Sequence, residues 1–107
     1  MRRSVCAIVF FAVLGLGLAG AQPKPAAVDV KIDNFVFGPQ ELTVAVGTTV
    51  TWTNHDDIPH TVVSTDKLFK SKVLDTDETF SFTFDKAGTF PYFCSIHPKM
   101  TGKVVVH

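Results

Sequence analysis

Gly88-Thr89-Phe90-Pro91-Tyr92-Phe93-Cys94-Ser95-Ile96-His97-Pro98-Lys99-Met100 reads as a strand that runs straight into a short, chemically dense loop. The strand delivers a cysteine at its end. The loop then gathers a thiol, an imidazole and a thioether within two short turns. A second imidazole, His60, stands upstream in Asp56-Asp57-Ile58-Pro59-His60-Thr61-Val62, also beside an apolar run. For His60 to meet Cys94, both loops must sit at one end of a fold whose strands carry them there.

The rest of the chain supplies such strands. Val28, Val30 and Ile32 alternate with Asp29, Lys31 and Asp33, giving one dry and one wet face. Phe35-Val36-Phe37 continues the apolar signal until Gly38-Pro39 breaks it. Glu41 to Val46 is the next strand, and Gly47-Thr48 turns it into Thr49 to Asn54, so these two are expected to form a hairpin. The polar loop from Asn54 to Pro59 ends at His60, and Thr61 to Ser64 leaves it as a short strand. Thr65 to Thr76 has neither clean period and is expected to be irregular, with one helical turn. Phe80, Phe82 and Phe84 share one strand face, and Lys103 to His107 closes the sheet. Many short strands, turn signals and no long helical period predict an all-β sandwich or barrel. No internal repeat is visible. Alternating phenylalanines on strands are core residues on this pattern, and Trp52 reads as packing.

One thiolate, two imidazoles and one thioether form a soft, mixed donor set that matches a trigonal His₂Cys copper site with a weak axial Met. Cu(I) prefers soft sulfur, whereas Cu(II) prefers nitrogen and oxygen. A rigid site that fully suits neither changes oxidation state with little ligand movement, which serves electron transfer rather than bond-making. Cys94, His97 and Met100 come from one loop, so their mutual geometry hardly depends on the remaining fold. His60 comes from another, which ties metal binding to correct folding.

The start of the chain has a different character. Met1-Arg2-Arg3-Ser4 precedes an apolar run from Val5 to Leu18 and then Ala19-Gly20-Ala21-Gln22, the pattern of a secretory signal peptide over residues 1–21, cut after Ala21. The run falls short of the ~20 residues that span a bilayer, which favours a cleaved leader over the alternative of a retained membrane anchor, and no stable membrane insertion is expected after cleavage. Residues 22–27 are a Pro- and Ala-rich flexible lead-in, and 28–107 form one domain. The two cysteines of the sequence are Cys6 and Cys94, so the processed chain keeps one and has no internal disulfide. Its lone thiol needs another explanation, and metal ligation supplies one. Ten basic residues against ten acidic ones, with no basic stripe, argue against a nucleic-acid partner.

The Cys94-x-x-His97-x-x-Met100 loop with Pro98 after the histidine, the Pro59-His60 pair, the Gly47-to-Trp52 strand and Ala87 to Cys94 together resemble the cupredoxin family, in particular the short ligand loop of its amicyanin group and plastocyanin-like electron carriers. The resemblance covers the chain after the leader. It implies a Greek-key cupredoxin sandwich or barrel with His60, Cys94, His97 and Met100 as ligands of one type 1 copper ion cycling between Cu(I) and Cu(II). It further implies a monomeric periplasmic carrier of single electrons, not an enzyme, working between redox partner proteins such as a dehydrogenase and a c-type cytochrome. Two departures stand out. Many relatives have Asn after the first histidine ligand, tying the two loops together; here Thr61 stands, with Ser95 as its available partner. Relatives also often carry Pro two positions after the cysteine, where Ile96 keeps an N–H expected to point at the Cys94 sulfur.

Other readings fit the residues less well. A copper enzyme resembling multicopper oxidases or nitrite reductases needs further histidine pairs, which His55 and His107 do not form; both read as solvated. Copper storage or delivery favours Met- and His-rich exposed sites. A Cys–His hydrolase would place nucleophile and base on one tight turn with no orienting group, and structural zinc sites do not use thioether. Asp56 and Asp57 read as a polar turn, and Lys67, Lys70 and Lys72 as a solvated face. One edge of His97 is expected at the surface, ringed by Ile58, Pro59, Ile96, Pro98 and Met100 as an electron port.

Overall fold

The alternation of apolar and polar residues gives each strand a face that must be hidden, and two sheets hide these faces against each other. The computed structural model describes residues 26–107. The expected leader and all but the last two residues of the lead-in lie outside the described residues. The strands are β1 (Ala27–Asp33), β2 (Val36–Gly38), β3 (Glu41–Val44), β4 (Thr48–Asn54), β5 (Val63–Ser64), β6 (Thr79–Phe84), β7 (Gly88–Phe93) and β8 (Thr101–Val106). They form two four-stranded sheets, ordered β2-β1-β4-β6 and β3-β8-β7-β5. The all-β sandwich read from the sequence is the observed architecture.

The expected hairpin of Glu41–Val46 with Thr49–Asn54 does not form. β3 instead pairs in parallel with β8, while β4 lies in the other sheet between β1 and β6. Both strands have an apolar face to bury, and a sandwich buries both by placing them in opposite layers. The link between them is stitched to each layer. The Val46 N–H donates to the His107 carbonyl (3.0 Å) and the Gly47 N–H to the Phe84 carbonyl (2.7 Å). Gly47 takes φ 94°, a conformation that side chains disfavour.

Thr65–Thr76 likewise contains no helical turn. It runs irregularly beside β5, held by bridges Val63↔Lys70 and His60↔Leu74. In each apolar pair one residue turns inward and one outward: Phe69 and Leu74 are buried, whereas Leu68 and Val73 are exposed.

The core joins Val30, Ile32, Phe37, Val50, Trp52, Phe84, Tyr92 and Val104 between the sheets. Trp52 is fully buried, with ring centroids of Tyr92 at 5.3 Å and of Phe69 and Phe80 at 5.8 Å. Tyr92 lies across from Gly102 in the β7–β8 ladder, and a Cβ at Gly102 would stand 2.6 Å from the tyrosine ring. A glycine there gives the ring its place. The packing fixes the ends of β4 and β7, and those ends carry the loops that matter.

Candidate metal centre

Asn54, the last residue of β4, starts the His60 loop. Its side chain is buried and fully engaged: Nδ2 donates to the carbonyls of Ile58 and Leu74, both at 2.9 Å, and Oδ1 accepts from the Asp56 N–H at 2.9 Å. The loop is thereby folded around one amide. His60 itself is anchored by two backbone bonds with Leu74, of 3.1 and 2.7 Å.

The second loop leaves β7 at Cys94 and closes on itself. The His97 N–H donates to the Cys94 carbonyl (3.2 Å), the Met100 N–H to the His97 carbonyl (2.8 Å), and the Cys94 N–H to the Met100 carbonyl (3.0 Å). Three backbone bonds in seven residues leave the side chains little freedom.

The two loops meet as the sequence predicts. His60 Nδ1 lies 3.8 Å and His97 Nδ1 3.7 Å from Cys94 Sγ, and the three ligand atoms all lie within 4.8 Å of one another. An ion held in a trigonal plane, at ~2.0 Å from nitrogen and ~2.3 Å from sulfur, separates those two atoms by ~3.7 Å. The donors therefore already stand at the spacing that one ion requires. Cys94 and His60 are wholly buried and His97 is half-buried, so the cluster sits just beneath the surface. Met100 is buried at the end of the same loop, and its thioether completes the soft donor set in chemical type. His55 and His107 lie exposed outside the cluster.

The sulfur is prepared for a metal. Burial works to raise the Cys94 thiol, but the Thr61 N–H (3.3 Å), the two imidazoles and the Thr61 hydroxyl (3.7 Å) together bring it down to about 6. At neutral pH the thiolate, the form that binds metal, predominates. The backbone N–H that reaches the sulfur is that of Thr61 rather than the expected one of Ile96. Thr61 also makes the tether between loops: its Oγ1 accepts the Ser95 N–H at 2.7 Å and lies 2.8 Å from Ser95 Oγ.

Two further residues support the site and were not read as part of it from sequence. Asp56 is part of no mere polar turn, for its Oδ2 lies 2.7 Å from His60 Nε2. That contact fixes the proton on Nε2 and leaves Nδ1 free for a metal, the usual carboxylate–histidine arrangement. Burial works to raise the Asp56 carboxyl, but N–H groups of Phe35 and Asn34 and the His60 ring hold it at about 2. Phe35 is the other. It lies not in a strand but in the turn between β1 and β2, with its ring edge-on to both His60 and His97. A signal for it was present: inward residues fall at even numbers through Ile32 and at odd Phe37, a change of parity that demands a turn between them.

Of the residues expected to ring His97, Ile58, Pro59, Ile96 and Pro98 are exposed. Met100 is not, being 6% exposed beneath the loop. Phe35, 44% exposed, stands against the His97 ring instead.

Comparison with known proteins adds a family context. The model of the cupredoxin-like domain matches residues 4–106. Amicyanin of Paracoccus versutus is 34% identical, over 99% of this chain and 95% of its own length. Among solved structures, a purple cupredoxin from Nitrosopumilus maritimus superposes with a TM-score of 0.72 at 36% identity, covering 75% of this chain and 99% of that one. A Cu(I) structure of an amicyanin variant gives a TM-score of 0.72 at 37% identity, covering 77% of this chain and 83% of the other.

Proposed function

The chain belongs to the cupredoxin family, and from that premise we propose that it carries single electrons on one type 1 copper ion. His60 Nδ1, Cys94 Sγ and His97 Nδ1 would hold the ion, with the Met100 thioether as a weak fourth donor. The observation that carries this reading is the spacing of the two imidazole nitrogens from the sulfur, 3.8 and 3.7 Å, which fits one trigonally held ion. When bound, copper supplies a one-electron couple between Cu(I) and Cu(II).

The protein's own residues do the remainder. Thr61 directs an N–H and a hydroxyl at the sulfur, spreading its negative charge and favouring the reduced ion. Asp56 works the other way, since a carboxylate behind His60 makes that imidazole a stronger donor to the oxidised ion. The closed Cys94–Met100 loop and the Thr61–Ser95 tether resist ligand movement, so little reorganisation accompanies each electron. The apolar rim around half-buried His97 brings a partner within reach of a ligand ring and lets it leave again, as small redox interfaces do.

The chain is an electron carrier, not an enzyme. Its location is the periplasm, reached through cleavage of the 1–21 leader, and it works there as a monomer. Among the described residues no helix is long and apolar enough to cross a membrane. A dehydrogenase as donor and a c-type cytochrome as acceptor are the redox partners this reading gives it. Voltammetry of the copper-loaded chain tests the function. One reversible one-electron couple, without turnover of oxygen or nitrite, is expected. More than one copper per chain, or catalytic current with either substrate, would contradict it.

A further inference from the structure

β1 and β2 are joined by a two-residue turn across the pair Asp33↔Val36, with both central residues at positive φ: 54° for Asn34 and 62° for Phe35. Turns of this hand suit the twist of paired strands, and asparagine is comfortable in the first position. The second position ordinarily takes glycine. A bulky aromatic residue there is a conformational outlier, and such outliers point to a use for the side chain.

The hairpin itself makes no demand for that ring, which is 44% exposed and outside the core. Its contacts lie at the metal centre. The ring is edge-on to His60, with centroids 5.5 Å apart at 87°, and to His97, 5.0 Å apart at 89°. The turn is also bolted down on that side. Asp56 Oδ1 accepts the Asn34 N–H at 2.6 Å, and Oδ2 accepts the Phe35 N–H at 3.0 Å while lying 2.7 Å from His60 Nε2. A single carboxylate thus fixes both the turn and one imidazole. Among the described residues, no carboxylate pairs with His97 as Asp56 does with His60. Ring packing must do for His97 what Asp56 does for His60.

We propose that Phe35 is a positioning residue: the β1–β2 turn presses its ring against both imidazoles and holds His97 in a metal-ready orientation before any ion arrives. This deepens the copper reading and rests on it. The site is accordingly preorganised by a residue from a third segment of chain, outside both ligand loops.

The test compares the full chain with F35A, F35L and F35G. Three readouts are taken: the copper–thiolate absorption after adding Cu(II), the rate of copper release to a chelator, and the His97 ring proton signals of the copper-free protein by NMR. The wild type should show the absorption band and sharp His97 signals. F35A and F35G should release copper about tenfold faster, the scale expected for losing two edge-to-face contacts, and broaden the His97 signals. F35L should fall between. F35G relieves the turn, so its copper-free melting temperature should stay within about 5 °C of wild type. Unchanged release and unchanged His97 signals in F35A and F35G would overturn the proposal while leaving the copper reading intact. A copper-free melting temperature that collapses in F35G would make Phe35 a folding residue and also overturn it. A wild-type chain that shows no band would remove the copper reading itself, and this proposal with it.

Discussion

Tyr92 shows how a single side chain can set a limit on the protein through what it lacks. Its hydroxyl is buried without a hydrogen-bond partner. Burial pushes the phenol up to about 12. The folded state holds this proton more tightly than the unfolded chain, whose tyrosine titrates near 10. Stability is therefore whole below about pH 10 and is lost progressively as pH rises toward 12. Tyr92→Phe should abolish that alkaline loss in denaturant titrations and change stability at neutral pH by less than about 1 kcal/mol, because no hydrogen bond disappears. A strong destabilisation at pH 7 would reveal a partner for the hydroxyl. At Asp56 the expectation concerns the metal instead. Asp56→Asn removes the negative charge behind His60, so the reduction potential should rise by about 60 mV for each tenfold loss of preference for the oxidised ion. An unchanged or lower potential would show that the carboxylate only holds the loop. The meeting of His60, Cys94 and His97 was legible in the sequence because a thiol and two imidazoles declare their chemistry by type and spacing. Asp56 was not, since the carboxylate acquires its meaning from turn amides 22 and 21 residues away.

At the scale of elements, the site is two loops tied together by one threonine. Thr61 Oγ1 accepts the Ser95 N–H, approaches the Cys94 sulfur and is almost wholly buried. Thr61→Val keeps the shape but removes that hydrogen bond, at a cost of about 0.5–1.5 kcal/mol in unfolding free energy. The same change should speed copper release, and Thr61→Ser should restore most of both. If Thr61→Val left stability and release at wild-type values, the loops would be held by something other than this tether. The Thr61–Ser95 pairing was readable because threonine in place of asparagine leaves only one hydroxyl in the Cys94–Met100 loop to pair with it. Strand identity was readable too, as period-two alternation from Val28 and from Thr79 shows. Strand pairing was not. The Gly47-Thr48 signal marks a turn equally well whether the chain doubles back within a sheet or crosses to the facing one. Only the parallel partners, β8 for β3 and β1 for β4, decide between these, and they lie far away in sequence. Thr65–Thr76 is irregular as expected, but the helical turn expected there is absent for a related reason: its inward residues are chosen by bridges to Val63 and His60, not by a local period.

Taken as a whole, the molecule is a sandwich whose one end collects His60 and Cys94 with His97 from the β4–β5 and β7–β8 connections, and Phe35 from the β1–β2 turn. A bound ion cross-links segments that are distant in sequence, so it should stabilise the fold in proportion to its affinity. At a free concentration about a thousandfold above Kd this amounts to about 4 kcal/mol, and calorimetry should find the copper-free form melting well below the loaded one. Equal melting temperatures would mean that the ion does not bind the folded state selectively. The central claim, that His60, Cys94 and His97 hold one redox copper, is tested most directly by titrating the purified chain with Cu(II) while recording its visible absorption. An intense thiolate-to-copper band should grow to saturation at one ion per chain, bleach on reduction, return on reoxidation and be absent in Cys94→Ser. A chain that stays colourless with cupric salt, or a Cys94→Ser variant that keeps the band, would contradict the account.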